Sequence, residues 1–211
     1  GIDDTNNGFF TDSNLSISTS RSKFEYPRDG IKLHGDHNLL NILAASLALS
    51  WLGVGQGVIN SAVQEFSGLP HRLEYVGLYN GIHFYNDSIS TVPQSCIEAV
   101  RSLKIVDTII LGGFDRGVNY MELAKYLVSQ DISNFIFLGK AGDVIFSLMD
   151  TLKSNNKNYY KFSDLESAYQ TIIDNTKEGS ICLLSPAAAS YDQFKNFEQR
   201  GDKFVDLVKF G

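Results

Sequence analysis

"CLLSPAAASYDQFKNFEQRGDKF", residues 182–204, hands an apolar run to an amphipathic one across a proline and three alanines. Its first half has the length and apolar character of a buried strand. Its second half places Phe194, Phe197 and Phe204 among alternating charges, which predicts a helix over 193–209 laid on a sheet. A strand that runs directly into a helix is the unit of a parallel α/β sheet. The same order recurs upstream. "DTIILGG" reads as a buried strand, followed by a helix over about 119–128 with Tyr120, Leu123, Ala124 and Leu127. "NFIFLG" precedes a helix over 141–152, and "YYKF" precedes one over 164–174. A helix with Ile97, Val100 and Leu103 at spacing three stands before the first of these strands. "LEYVGLY" and "IHFYND" flank Asn80-Gly81, the strongest short hairpin signal. The alternation predicts a parallel sheet covered by helices on both faces.

The pattern differs before Pro70. Residues 1–33 carry "GFF", "NLSIS", "KFEYP" and "IKLHG", read as short strands broken by Asn, Asp, Gly and Pro, like the continuation of a sheet begun upstream. A helix over 38–51 follows, with Leu39, Ile42, Leu43 and Leu47 on one face, and a second over about 56–66. The change of pattern sets a domain boundary near 69–74.

The 211 residues are 43% hydrophobic and 20% charged, enough apolar material for a substantial core. A net charge of −6 provides no basic footprint for nucleic acid or for an anionic membrane surface. No apolar run approaches the roughly 20 residues that span a bilayer. The acidic opening "GIDDTNNGFF" is not a signal peptide. Cys96 and Cys182 are far apart, without metal-ligand spacing, and read as buried residues of a reduced, cytoplasmic protein.

Ligands of open α/β sheets sit outside the carboxyl ends of the strands. Three strand ends carry loops rich in Gly, Ser, Asp and Arg: "NDSIST", "GGFDRG" and "SPAAAS". The loop "SNNKN" belongs to the other edge and is merely polar. Each feature has two readings. Gly112-Gly113 is a tight turn or a close approach to a ligand. Arg116 is a surface charge or a fork for a carboxylate. Asp87 and Ser88 are a helix cap before Pro93, or site residues. Ser190 caps the last helix, or offers its hydroxyl to an anion. In "HGDHNLLN", His37 reads as a capping or hydrogen-bonding residue, leaving Asn41 free to reach a ligand. Arg72, in "LPHRLE", is an interdomain ion-pair partner or a phosphate fork.

Taken in order and spacing, "GDHNLLNILAA", "FSGLPHRLE", "NDSIST", "LGGFDRG" and "LLSPAAASYDQFKNFEQRGDKF" resemble the C-terminal half of the Mur ligase family, most closely its MurD branch. The resemblance runs from about residue 30 to the end. It implies that 1–72 is the tail of the central ATP-binding domain and 73–211 the Rossmann-like C-terminal domain. It implies an ATP- and Mg²⁺-dependent ligase that joins glutamate to UDP-N-acetylmuramoyl-L-alanine through an acyl phosphate, in cytoplasmic peptidoglycan synthesis. The sequence has no G-x-x-x-x-G-K-[ST] loop. The family's P-loop, carbamylated lysine, metal ligands and UDP pocket are thus expected upstream, and this chain alone is expected to be inactive. By motif, Asn41 lies against adenine, Arg72 reaches the ATP phosphates, and Asp87 the nucleotide. Thr91, Arg116, Ser190, Tyr191 and Phe197 surround the incoming glutamate.

Two positions depart from the branch. Ile89 stands where N-D-S-K-A-T has lysine, and Arg116 stands where the glycine-rich loop ends in lysine. The loss of a cation at residue 89 leaves D-glutamate favoured and L-glutamate as the alternative. A non-catalytic carboxylate- or nucleotide-binding module is the reading from another class. A folylpolyglutamate synthetase type is disfavoured by the "SPAAASYDQFKNFEQRG" pattern.

Overall fold

A computed structural model describes residues 7–11, 13–18, 23–33, 35–103, 105–152 and 156–211, without the side chains of Asn7, Asp36 and His37. The chain divides into two compact units, Gly1–Gly68 and Leu69–Gly211.

In the first unit, β1 (Asn7–Phe10), β2 (Asn14–Ser18) and β3 (Lys23–Pro27) form an antiparallel sheet in that order. Alternation in β3 sends Phe24 and Tyr26 inward and Lys23, Glu25 and Pro27 outward. α1 (Asp36–Trp51) and α2 (Gln56–Glu65) cover the sheet, with Leu39, Ile42, Leu43 and Ile59 packed on Leu15, Ile17, Phe24 and Tyr26. The Tyr26 hydroxyl donates to Ser46 Oγ at 2.7 Å, so its buried polar end is satisfied. Residues 31–33, expected to begin a fourth strand, are irregular, and His34 lies outside the described residues.

The second unit is the doubly covered sheet. Its strands are β4 (Glu74–Tyr79), β5 (Ile82–Asn86), β6 (Val106–Gly112), β7 (Asn134–Leu138), β8 (Asn158–Phe162) and β9 (Ile181–Leu184). They lie in the order β4-β5-β9-β6-β7-β8. Only the β4–β5 hairpin is antiparallel; the other pairs are parallel. Asn80 (φ 50°) and Gly81 (φ 76°) are both left-handed, as a type I′ turn requires.

Alternate strand residues feed two cores. Ile109, Leu111, Phe135, Phe137 and Leu183 pack under α3 (Pro93–Ser102), α4 (Met121–Ser129) and α5 (Gly139–Thr151). Ile110, Ile136, Cys182, Leu184 and Phe84 pack under α6 (Leu165–Asn175) and α7 (Phe197–Phe210). Cys96 and Cys182 are buried free thiols in different cores. Burial pushes both thiols well above their ordinary range, which makes them inert.

Two expected boundaries are corrected. The last helix begins at Phe197, not at residue 193, and its cap is Asn196, whose Oδ1 accepts from the Gln199 amide at 2.9 Å. Ser190 is not a cap; its carbonyl closes a turn by accepting from the Gln193 and Phe194 amides. Asp87 and Ser88 do not cap α3 either. That helix starts from Val92 with no side-chain cap, and Pro93 takes the first-turn position where no amide is needed.

Candidate functional site

β9 is the last strand in the chain and lies between β5 and β6. The loops after β5, β9 and β6, which are "NDSIST", "SPAAAS" and "GGFDRG", therefore stand side by side at one edge. From β6 the chain leaves toward α4 on one face; from β9 it leaves toward α7 on the other. Adjacent strand ends whose connections part in this way are the switch point at which open sheets bind ligands. Of "SNNKN", Ser154 and Asn155 lie outside the described residues, and Asn156–Asn158 lead into β8 from the opposite edge. There Lys157 Nζ donates to the Gln130 and Ile132 carbonyls.

The three loops are tied together. The Gly112 amide donates to the Pro186 carbonyl at 2.8 Å, and the Phe114 amide to that of Ala189 at 2.8 Å. Gly112 (φ 108°) and Gly113 (φ 131°) both have positive φ. A methyl group on Gly112 would strike the Leu138 carbonyl and the Gly142 backbone; on Gly113 it would strike the Ala189 carbonyl. The two glycines are thus needed for backbone approach in the protein itself. Ala187, at φ 58°, is held left-handed without being glycine, an arrangement that clusters at functional sites.

Arg116 is exposed at the end of its loop, and its Nη2 donates to the Thr91 carbonyl at 2.9 Å. Two residues singled out in different loops are thereby in direct contact. Ser190 is buried directly after the Phe114–Ala189 bridge, while Tyr191 stands 66% exposed. Phe197 is half-buried and packs edge-on against the His71 ring at 6.1 Å. Ile89 is half-buried, and its amide donates to the His71 carbonyl.

Asp87 is 3% exposed, with both carboxylate oxygens engaged. Oδ1 accepts from the Leu73 amide at 3.2 Å and Oδ2 from the Ser185 hydroxyl at 2.7 Å. Leu73 (φ 45°) and His71 (φ 63°) are both left-handed and flank Arg72, whose side chain is exposed. The His71 amide donates to Glu74 Oε2 at 2.8 Å. The segment presenting Arg72 is therefore strained, and carboxylates on either side hold it in place. Asn41 belongs to the first unit, exposed on α1, with Nδ2 3.4 Å from Asn38 Oδ1. His37's side chain is outside the described set; the cap of α1 is Gly35.

Burial raises the Asp87 pKa from 3.8 to about 6, against the opposing hydroxyl and amide hydrogen bonds and the charge of Arg72. Between those two values the folded chain holds a proton that the unfolded chain releases. Stability therefore falls as pH rises through this window and is flat above it. Asp87→Asn should remove that fall and stabilise the chain at pH 7 by up to about 3 kcal/mol. Urea midpoints of both forms between pH 4 and 8 check this; parallel curves would refute it.

Two positions of the site escaped sequence reading. Arg200 is buried in α7, and His71 is buried with its Nδ1 2.9 Å from Asn86 Nδ2. Arg200 was visible in principle, as a cation on the apolar stripe Phe197, Gly201, Phe204 and Val208. His71 gave no such signal, because its burial depends on the fold of the strained turn. Among the described residues no group of three or more His, Cys, Asp or Glu is arranged to hold a metal, and no helix is long and apolar enough to cross a membrane.

The family model "Mur ligase, glutamate ligase domain" matches residues 71–188. The UDP-N-acetylmuramoylalanine–D-glutamate ligase of Caldicellulosiruptor saccharolyticus is 34% identical over 207 residues, 97% of this chain and 45% of that protein. The Aquifex aeolicus protein of the same name is 35% identical over 180 residues, 85% and 42% of the two chains. The chain thus spans about half the length of the curated relatives it matches. Among solved structures, UDP-N-acetylmuramate-alanine ligase MurC of Thermotoga maritima superposes with a TM-score of 0.67 at 18% identity, over 93% of this chain and 43% of that one. E. coli FolC in complex with DHPP and ADP gives 0.68 at 14%, over 98% and 47%. At these identities the structural likeness concerns the fold.

Proposed function

The chain belongs to the Mur ligase family through its glutamate ligase domain, and from that membership we propose that it is the C-terminal half of an ATP-dependent ligase adding glutamate to UDP-N-acetylmuramoyl-L-alanine. The observation that carries the reading is the junction of three loops at the β5–β9–β6 edge, where Arg116 is bonded to Thr91. The 34% identity to D-glutamate ligases supports D-glutamate as the amino acid.

Bound ATP would supply its γ-phosphoryl group to the acceptor carboxylate, with ADP as the leaving group, and the glutamate amine would then displace phosphate from the acyl phosphate. Such chemistry depends on positioning and on charge stabilisation. Arg116 forks onto a glutamate carboxylate, and the Thr91 carbonyl holds the guanidinium at the loop junction. Ser190 offers its hydroxyl, and Phe197 and Tyr191 form the apolar wall. Arg72 reaches the phosphates from its strained turn, and Asp87 acts on the nucleotide by fixing the Leu73 amide beside it. Asn41 meets the adenine. These donors suit an anionic nucleotide; Mg²⁺ is held by residues outside this chain. The Rossmann-like domain of this reading is 73–211, preceded by the tail of the ATP-binding domain over 1–72.

A second reading keeps the chemistry and changes the amino acid. Ile89 removes a cation from the carboxylate side, which favours a ligase for L-glutamate. The test joins this chain to its P-loop-bearing half and measures phosphate release with D- and L-glutamate. Release dependent on D-glutamate is expected, and none from this chain alone. Equal rates with both isomers would remove any stereochemical meaning from Ile89. Turnover by the 211-residue chain alone would overturn the assignment of catalysis to two halves.

A further inference from the structure

Arg200 is 3% exposed, and its guanidinium sits where all three site loops meet. Nε donates to Ser88 Oγ at 3.0 Å and Nη2 to the Ser88 carbonyl at 2.8 Å, which grips the loop after β5. Nη1 and Nη2 both donate to the Ala188 carbonyl at 3.1 Å, which grips the loop after β9. A β-carbon built on Gly113, in the loop after β6, would lie 3.1 Å from Nη1. Every hydrogen-bond partner is a neutral oxygen, and among the described residues no carboxylate forms an ion pair with it. Burying a guanidinium with no carboxylate in direct contact, only Asp192 acting on it from further off, is costly, and the same fold could have filled this place with an apolar side chain. What an apolar residue cannot do is bond two loops from one planar group whose donors point in fixed directions.

We propose that Arg200 is the positioning residue of the site, one buried fork that sets the spacing of the loops after β5 and β9 and so the width of the slot for the amino-acid substrate. Thr91 lies three residues beyond Ser88 and Ser190 two beyond Ala188, so both walls of the slot are anchored within three residues of the guanidinium. The third loop is held indirectly, because the Phe114 amide bonds Ala189, the neighbour of a residue that Arg200 grips. Charge plays a part beyond geometry. The guanidinium stays protonated at neutral pH, since burial lowers its pKa only to about 10. Among the described residues the only carboxylate that acts on this charge is Asp192, from beyond ion-pair distance, so the guanidinium keeps positive potential beneath the slot, which favours an anionic ligand.

The slot's identity as a glutamate site rests on the function proposed above; the loop clamp does not. The test compares the 211-residue chain with its Arg200→Met and Arg200→Lys forms. Methionine keeps much of the stem volume and removes the fork; lysine keeps the charge. Amide hydrogen exchange is followed at Ile89 and Phe114 in the loops and at Phe135 and Phe137 in β7. In Arg200→Met the loop amides should lose on the order of 100-fold more protection than the strand amides, with Arg200→Lys between the two. Equal losses in loops and strands would make Arg200 a general stabiliser and overturn the proposal. Should Arg200→Met fail to fold, Arg200→Lys carries the same comparison with a smaller expected difference. Titration with D- and L-glutamate separates the two claims. Binding by the parent chain that weakens at least tenfold in Arg200→Met supports both. Binding unchanged despite loosened loops overturns the positioning role. No binding by the parent chain counts against the glutamate site, while exchange still decides the clamp.

Discussion

Replacing Arg116 by alanine should raise the KM for glutamate about 100-fold and change the KM for ATP only a few-fold, in a ligase that joins this chain to its P-loop-bearing half. The asymmetry follows from where Arg116 stands. It leaves the end of the glycine-rich loop, exposed, and spends one hydrogen bond on the Thr91 carbonyl. That bond orients the fork and leaves its other N–H donors for a planar, bidentate partner, which a carboxylate is. Losing two parallel charge-assisted bonds to an anion is worth about 3 kcal/mol, the stated hundredfold. In the proposed assignment the nucleotide is met by Arg72, which stands in the turn before β4 and not in the loop of Arg116. Arg116→Lys retains the charge and loses the fork, and should fall between the two with a roughly tenfold rise. Initial rates with glutamate varied at saturating ATP, and with ATP varied at saturating glutamate, read the two KM values. An unchanged glutamate KM in Arg116→Ala would remove this residue from the slot.

Gly112→Ala should destabilise the second unit by at least about 4 kcal/mol. Gly112 is the last residue of β6, paired to Leu138 at the end of β7, and α5 starts immediately against it. The backbone is at φ 108°, a conformation L residues avoid, and the added methyl would point at main-chain atoms rather than at a side chain able to swing away. Relief would require moving the end of β7 or the first turn of α5. Either movement breaks the Gly113–Leu138 and Ala141–Gly113 hydrogen bonds, at 2.9 Å each. Urea denaturation gives the difference, and a loss under 1 kcal/mol would show that the crossing is not tight. Gly117, in the same loop, is a suitable control. It too has a positive φ, at 70°, but open space where a β-carbon would stand, so alanine there should have a much smaller effect.

Much of this arrangement was legible in the residues. Apolar runs of strand length, each followed by a helical period, fixed the parallel sheet, because buried strands carry little else than side chains for two cores. Asn80-Gly81 fixed the hairpin through the left-handed pair that only such residues adopt readily. The three loops were legible by composition, as the ends of strands must shed their apolar character where a ligand can approach. What failed was the start of α7. Ser190 and Asn196 are both good caps, and Ser190 was the one adjacent to the strand. The signal that decides between them was present: Asn196 and Gln199 stand at capping-box spacing, and the Gln199 side chain accepts from the Lys195 amide at 2.8 Å. Arg200 was passed over because a charge within "EQRGDKF" reads as a solvated face. Its place on the apolar stripe Phe197, Gly201, Phe204 and Val208 was the local sign of burial; its partners, in loops from distant parts of the chain, are what no local pattern encodes. Asp87 carried two readings, helix cap or site residue; α3 starts without it, and the sheet order brings Ser185 to its carboxylate.

The position of β9 has a consequence for the birth of the molecule. His83 in β5 and Val106 in β6 both pair with Ile181, so the middle of the sheet is filled by the last of its strands to be synthesised. Until that segment leaves the ribosome, β5 and β6 face one another across an empty slot with two bare hydrogen-bonding edges. A nascent chain in that state has its outer strands and no centre, and it is then most exposed to pairing with a neighbour. Ala188, Ser190 and Arg200 arrive after β9 itself. A chain stopped even a few residues short of Arg200 would carry all six strands of this sheet and none of the guanidinium bonds that join Ser88 to Ala188.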